Sequence, residues 1–158
     1  MQTTQTPISG TEQLDTLDGP HRALAEFYKA FNNRDPAAMA SNWARDDDIA
    51  MDNPVGGIVR GWPEIAAVYE RIFRGAARVQ VEFHDYTIHE AGDVFYAVGR
   101  ERGELQTGDT SLRLAIRTTR VFRKLDGRWR QVHHHGSMDD PKLLQRYQDA
   151  LGAGSSQR

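Results

Sequence analysis

Near the end of the chain, Val132-His133-His134-His135-Gly136-Ser137 sets three imidazoles in a row behind the turn Asp126-Gly127. On an extended strand alternate side chains share a face, so Trp129, Gln131, His133, His135 and Ser137 are expected on one side, with Arg130, Val132, His134 and Gly136 on the other. Two imidazoles side by side at the wall of an apolar cavity could pass a proton in either direction near neutral pH. The same pair, hydrogen-bonded at a rim or a subunit contact, would be structural. A His-x-His strand also offers two nitrogens to zinc or iron, but the later acidic ligand of a cupin-type site is missing, so no metal is expected.

Upstream, Leu114, Ile116, Thr118, Arg120 and Phe122 alternate onto one largely apolar face. A single charge on such a face needs a partner, and a guanidinium there could hold a carboxylate or an enolate-like oxygen. Arg113, Arg117 and Arg123 fall on the opposite face and read as a solvated or intersubunit surface. Trp43, Trp62 and Trp129 read as core or pocket wall, and Tyr28 as a core residue whose hydroxyl could donate to a bound oxygen. The chain has no cysteine, no phosphate-cradling glycine loop, no nucleophile elbow and no dinucleotide fingerprint, so any chemistry is expected to run without a cofactor.

These residues must be positioned by two kinds of element. Asp18-Gly19-Pro20 signals a helix start, and Leu24, Phe27, Tyr28 and Phe31 form its apolar stripe up to Asn32 and Asn33. Asp35-Pro36 caps a short second helix carrying Met39 and Trp43. Residues 49–52 read as a brief strand stopped by Asn53, Pro54, Gly56 and Gly57. Pro63 opens a third helix with Ile65, Val68 and Ile72 on one face, and Gly75 ends it. From Ala77 the period changes, and residues 79–88, 94–105, 112–124 and 128–137 read as antiparallel strands joined by Ala-Gly-Asp, Thr-Gly-Asp and Asp-Gly turns. Pro141 starts a last helix over 142–151. Helices first and a strand meander second predict an α+β fold, with the N-terminal helices packed on one face of a curved, mainly antiparallel sheet.

Length supports one domain, taken as residues 18–151, with 1–17 and 152–158 as flexible ends of polar and small residues. A formal net charge of −2 gives no basic field for a phosphate backbone, so nucleic acid is not an expected partner. The N-terminus has neither a basic start nor an apolar run, so no membrane attachment is expected and the expected location is the cytoplasm.

The segment from Arg117-Thr118-Thr119-Arg120-Val121 through Asp126-Gly127-Arg128-Trp129 to Val132-His133-His134-His135-Gly136-Ser137 resembles the last two strands of SnoaL-like domains, in the nuclear-transport-factor-2-like superfamily. Its Thr-Arg-Val, Asp-Gly-basic-Trp and Val-His-x-His-x-Ser pattern is also similar to the association domain of calcium/calmodulin-dependent kinase II. A weaker likeness runs from the aromatic helix ending Asn32-Asn33-Arg34-Asp35 through Met51 to Gly57 and Arg60-Gly61, so it covers about residues 21–139. The resemblance implies a cone-shaped fold whose helices close over the concave side of the sheet and leave a pocket, and subunits that pair through their sheets as a homodimer. It places Asp52 about where ketosteroid-isomerase-like relatives hold a carboxylate base, with a turn-forming aspartate as the alternative. It also sets Arg100 and Arg120 at positions of pocket arginines in the kinase association domain. That domain has a ligand-lining histidine early in its third helix, whereas this chain has Trp62-Pro63-Glu64-Ile65-Ala66-Ala67.

Two functions are therefore expected, since one scaffold hosts many activities. The first is a cofactor-independent acid/base isomerase, dehydratase or cyclase acting on a small organic ligand, a carboxylate or carbonyl compound. In it Asp52, His133 and His135 are catalytic, while Arg100, Arg120, Tyr28, Trp43 and Trp129 bind the ligand. The second is a non-catalytic ligand-binding and oligomerisation module.

Overall fold

Proline and asparagine set the helical half of the molecule. The computed structural model describes residues 5–153; the expectations for residues 1–4 and 154–158 lie outside the described residues. Helix α1 (Gly19–Asn32) starts on Pro20 and buries Leu24, Phe27 and Tyr28. Its final residue is a clasp: the Asn32 amide donates to the carbonyls of Ser9 (3.0 Å) and Val81 (2.8 Å) and accepts from Val81 N (2.9 Å). Arg34, at φ 53, turns the chain, and its guanidinium donates to the Phe73 and Ala77 carbonyls. Helix α2 (Pro36–Asn42) is capped as expected, Asp35 accepting from Ala38 N.

Strand β1 (Ala50–Asp52) pairs antiparallel with a short strand β2 (Ile58–Arg60), which has no periodic signal of its own in the sequence. Helix α3 (Trp62–Arg74) buries Ile65, Val68 and Tyr69 and ends at Gly75. Strands β3 (Arg78–Ala91), β4 (Val94–Thr107), β5 (Thr110–Leu125) and β6 (Arg128–Met138) form the meander, each extending past the expected span at one or both ends. Helix α4 (Pro141–Ala153) follows. The sheet order is β2-β1-β6-β5-β4-β3, antiparallel except where β1 runs parallel to β6.

The sheet is curved and unclosed, and its curvature has identifiable sources. Asp85, at φ 49, sits in a bulge between His84 and Thr87 of β3. Opposite it on β4, a Cβ at Gly99 would lie 2.8 Å from the His84 carbonyl, and one at Gly103 would lie 1.9 Å from the Gln80 carbonyl. Glycine is what lets the two strands fold this closely. Helices α1, α2 and α3 fill the concave side, and the result is a cone-shaped α+β fold.

The N-terminal segment was expected to be loose up to residue 17. Within the described part, Ile8 is buried and exchanges two backbone hydrogen bonds with Phe83 on edge strand β3, at 3.0 and 2.8 Å. A short 3-10 turn, Leu14–Thr16, then leads to α1. No helix among the described residues is long and apolar enough to cross a membrane.

Because the strand β3 backbone leaves no room for a side chain at Gly103, Gly103→Ala is expected to lower unfolding free energy by at least about 2 kcal/mol in urea titrations, the scale of an overpacked interior. Gly108→Ala serves as a control, since nothing lies within 4 Å of its added Cβ and it tests turn strain alone.

Candidate functional site

Alternation along β4 carries Phe95, Ala97, Glu101 and Leu105 inward, and β5 carries Leu114, Ile116, Thr118, Arg120 and Phe122 inward. Arg120 is only 2% exposed, and each of its three nitrogens already donates: Nη2 to Glu101 Oε1 at 2.7 Å, Nη1 to Gln131 Oε1 at 2.8 Å, and Nε to the Tyr28 hydroxyl at 3.3 Å. Tyr28 in turn donates to Glu101 Oε1 at 2.9 Å. Gln131 passes the chain on to Asn42 (3.1 Å), which donates to the Ala23 carbonyl (3.1 Å). The guanidinium lies 3.6 Å from the Phe27 ring centroid. One polar chain thus joins α1, α2, β4, β5 and β6 inside an apolar cone.

The electrostatics follow from this burial. Desolvation, reinforced by the Glu101 carboxylate, holds the Tyr28 phenol well above its ordinary pKa, so it stays a neutral O–H donor. Burial opposes the Arg120 charge, but the Tyr28 and Glu101 oxygens outweigh it and keep the group protonated. Tyr69 is pushed up to about 12 by burial, with Arg120 acting against it, and Tyr147 of α4 is raised by burial and then by Glu101.

The structure departs from the expected parity of β6. A register shift opposite Val121 and Phe122 makes Val132 an extra residue, so Gln131 and His134 both point inward while His133 and His135 turn away. His134 is 7% exposed, and neither of its ring nitrogens has a hydrogen-bond partner. Burial first, then Arg120, His133 and His135, hold its pKa well below the ordinary value, so the ring is neutral. Trp43 is fully buried beside Tyr69, 6.4 Å between ring centroids.

The expected catalytic residues gather on the other side of β6. Asp52 and His135 are register partners, and the imidazole donates from Nδ1 to Asp52 Oδ2 at 2.9 Å, with the two side chains 31% and 52% exposed. His133 donates from Nδ1 to the Ala50 carbonyl at 2.9 Å. Arg100 also faces outward, because the inward position of β4 belongs to its neighbour Glu101; it pairs with Asp139 (2.6 Å) and Asp85 (3.6 Å). Trp129 packs edge-on against Phe95, 4.9 Å between centroids, away from the Arg120 cluster. Tyr28, Arg120 and Trp43 are brought together inside the cone; Asp52, His133, His135 and Arg100 are not. Glu101, Gln131 and His134 were missed. Glu101 could have been found, because it shares a face with Phe95, Ala97 and Leu105. Among the described residues no group of three or more His, Cys, Asp or Glu side chains is placed to hold a metal ion.

A groove of about 640 Å³ lies between α3, α4 and the turn at residues 53–57. Pro54, Val55, Val68, Ile72, Tyr147 and Leu151 give it apolar walls, with Arg71 and Arg74 at the rim.

A concave sheet closed by helices over a buried polar cluster is a cone of the nuclear-transport-factor-2-like class. The chain belongs to the SnoaL-like domain family, whose model matches residues 21–141. It is similar to the structure of a proposed calcium/calmodulin-dependent protein kinase type II association domain from Thiobacillus denitrificans, with 31% identity and a TM-score of 0.65 over 78% of this chain and 98% of that one. A proposed dehydratase of the NTF2-like family from Streptomyces avermitilis has the same fold, with 22% identity and a TM-score of 0.68 over 73% of this chain and 90% of that one. Among curated proteins, F-box protein SKIP8 of Arabidopsis thaliana is 23% identical over 143 residues, 88% of this chain; the match spans 59% of that protein's length.

The His134 environment has a thermodynamic consequence. Its folded pKa is depressed, so below the unfolded value of about 6.5 the unfolded chain binds a proton that the folded one refuses. Stability from this group is present above that pH and is lost as pH falls, by about 1.4 kcal/mol per pH unit until the folded pKa is reached. Urea titrations from pH 7.5 to 5 are expected to show a shallower fall for His134→Phe than for the unaltered chain. Parallel slopes would mean that the ring takes up its proton in the folded state.

Proposed function

We propose that the chain binds a small organic molecule inside the cone and performs cofactor-independent acid–base chemistry on it, as an isomerase, dehydratase or cyclase. One observation carries this reading: the Arg120–Glu101 pair is held dry at the centre of an apolar cone. A buried ion pair is rarely more stabilising than well-packed apolar residues of the same volume. Its partners, a phenol and a carboxylate, are the types that proton transfer uses.

In this reading Glu101 is the base. Its Oε1 accepts from both Tyr28 and Arg120, and Oε2 is left to take a proton from a carbon beside a carbonyl. The C–H electron pair becomes an enolate; once Glu101 holds the proton its grip on the Tyr28 O–H and on the Arg120 charge is relaxed, and both turn to the enolate oxygen. Return of the proton to another carbon completes an isomerisation; loss of hydroxide from the adjacent carbon, protonated as it leaves, completes a dehydration. Trp43 and the aromatic residues of α1 and α3 exclude water. Asp52 and His135, with His133 beside them, form a second candidate relay, serving a molecule bound on the outer side of β6, where Arg100 would hold its acid group.

The test is solvent-deuterium exchange at the α-carbons of a panel of cyclic ketones, followed by proton NMR. The protein is expected to accelerate exchange of at least one member, and Glu101→Gln, folded by circular dichroism, to lose about a hundredfold or more of that rate. Equal rates for variant and parent, or no member exchanged, would sink the enzyme reading.

A second reading, a module that binds a small acid and assembles without catalysis, is favoured by one feature. Val94, Tyr96 and Val98 on the outer face of β4 are 38%, 43% and 44% exposed and form an apolar strip suited to a second copy of the chain. The 31% identity to the association-domain relative points the same way. Light scattering after size exclusion is expected to give a dimer mass for the protein and a monomer mass for Tyr96→Asp; a monomeric parent would remove this reading.

A further inference from the structure

The His134 ring takes no part in the fold's hydrogen bonding. Both of its nitrogens are buried and unpartnered, although a neutral imidazole has one donor and one acceptor to satisfy, and leaving them unmade costs free energy. The ring is not sealed in by bulky neighbours on every side. A Cβ placed on Gly136 would lie 3.2 Å from His134 Nε2 and 3.1 Å from Pro54 Cδ, so the glycine keeps a gap between the imidazole and the proline ring.

Pro54 is also a wall of the groove under α4. It is carried by a turn in which Asn53 Oδ1 accepts from Val55 N (2.7 Å) and which continues into Gly56 and Gly57, both at positive φ. Across the groove, Gln148 of α4 donates to the Val55 carbonyl at 3.5 Å, a long contact that ties helix and turn together. Groove, proline, glycine gap and unpartnered imidazole therefore follow one another from the surface inward.

The chemistry of the groove selects its occupant. Its volume suits a molecule of two or three rings, and its inner walls are apolar. At the inner end the nearest guanidinium, Arg120, already donates from every nitrogen and is neutralised by Glu101. A charged group stripped of water there would meet no free counter-charge, whereas an uncharged hydroxyl or carbonyl would find the imidazole.

We propose that the groove between α3, α4 and residues 53–57 takes a flat, uncharged, largely apolar molecule bearing a hydroxyl or carbonyl, and that His134 hydrogen-bonds that group through Nε2 across the gap at Gly136. This rests on the cone being a ligand site, and it names the route, the ligand class and the residue that reads it. The Pro54 turn shifts to admit the polar group, since the imidazole nitrogens have no solvent-exposed surface.

The experiment uses 2-naphthol, a bicycle with one hydroxyl and its own fluorescence, with 2-naphthoate and naphthalene as comparison arms. Fluorescence titration gives affinity, and nitrogen-15 NMR of histidine-labelled protein reports the His134 ring. Expected are saturable 2-naphthol binding, at least about tenfold weaker 2-naphthoate binding, and a displaced His134 ring-nitrogen resonance. Gly136→Ala, which fills the gap and retains the imidazole, is expected to weaken 2-naphthol about tenfold and naphthalene far less; Ala76→Trp in the groove wall is expected to weaken both. Naphthol binding that leaves the His134 resonance unmoved, or is indifferent to Gly136→Ala, would overturn the role of His134. Binding unaffected by Ala76→Trp, or no binding of either neutral probe, would overturn the groove. Ketone exchange dependent on Glu101 can persist in all of these cases, so the two readings fail separately.

Discussion

The arrangement of this molecule depends on keeping one guanidinium charge out of water. Arg120 sits at the centre of the cone, and everything near it is organised to hold that charge: Glu101 from the neighbouring strand, Tyr28 from α1, Gln131 from β6 and, through Gln131, Asn42 from α2. Removing one partner of such a pair typically costs about 3 to 5 kcal/mol, because the other is left charged and dry. The network therefore fixes how the helices seat on the sheet more strictly than apolar contact can. Burial by Phe27, Tyr69 and Trp43 makes each hydrogen bond in it stronger and each missing one more costly.

The backbone decides which residues join that centre. Gly99 and Gly103 let β4 approach β3 and bend the sheet, which gives the cone its hollow side. The extra residue at Val132 turns β6 by one position, so Gln131 reaches Arg120 and His134 follows it inward. The paired side chains of the convex side, Asp52 and His135, owe their meeting to the parallel pairing of β1 with β6. Two constellations of ionisable groups thus share one strand and are kept apart by its thickness.

Much of the fold was legible because it follows from period and punctuation. The stripe Leu24, Phe27, Tyr28, Phe31, the Asp35 cap, the Gly75 stop and the alternation of β5 around Arg120 all stand where local physical chemistry puts them. Strand β2 was illegible because three residues carry no periodic signal and exist only through pairing with β1. The docking of Ile8 on Phe83 is likewise a long-range bond with no local mark. Of the site, Arg120, Tyr28 and Trp43 could be read from their apolar settings. Strict alternation groups His133 and His135 with Gln131 on one face, and a single bulge, invisible in composition, separates them from it. Glu101 was overshadowed by the charged residues on either side of it, Arg100 and Arg102, which point to solvent.

The run of three histidines has a meaning of its own once the bulge is known. Strand parity in β6 hangs on one supernumerary residue, and the gain or loss of such a residue turns every side chain beyond it to the other face. In most sequences such a slip would replace the inward group by something of different chemistry. Here a shift by one in either direction brings His133 or His135 to the place His134 now holds. The triplet makes the inner imidazole robust to changes of register; a shift that brings His133 inward sets His134 beside Asp52, and one that brings His135 inward sets Gly136 there. A lineage could exchange the faces of this strand without ever passing through a form that lacks a histidine inside.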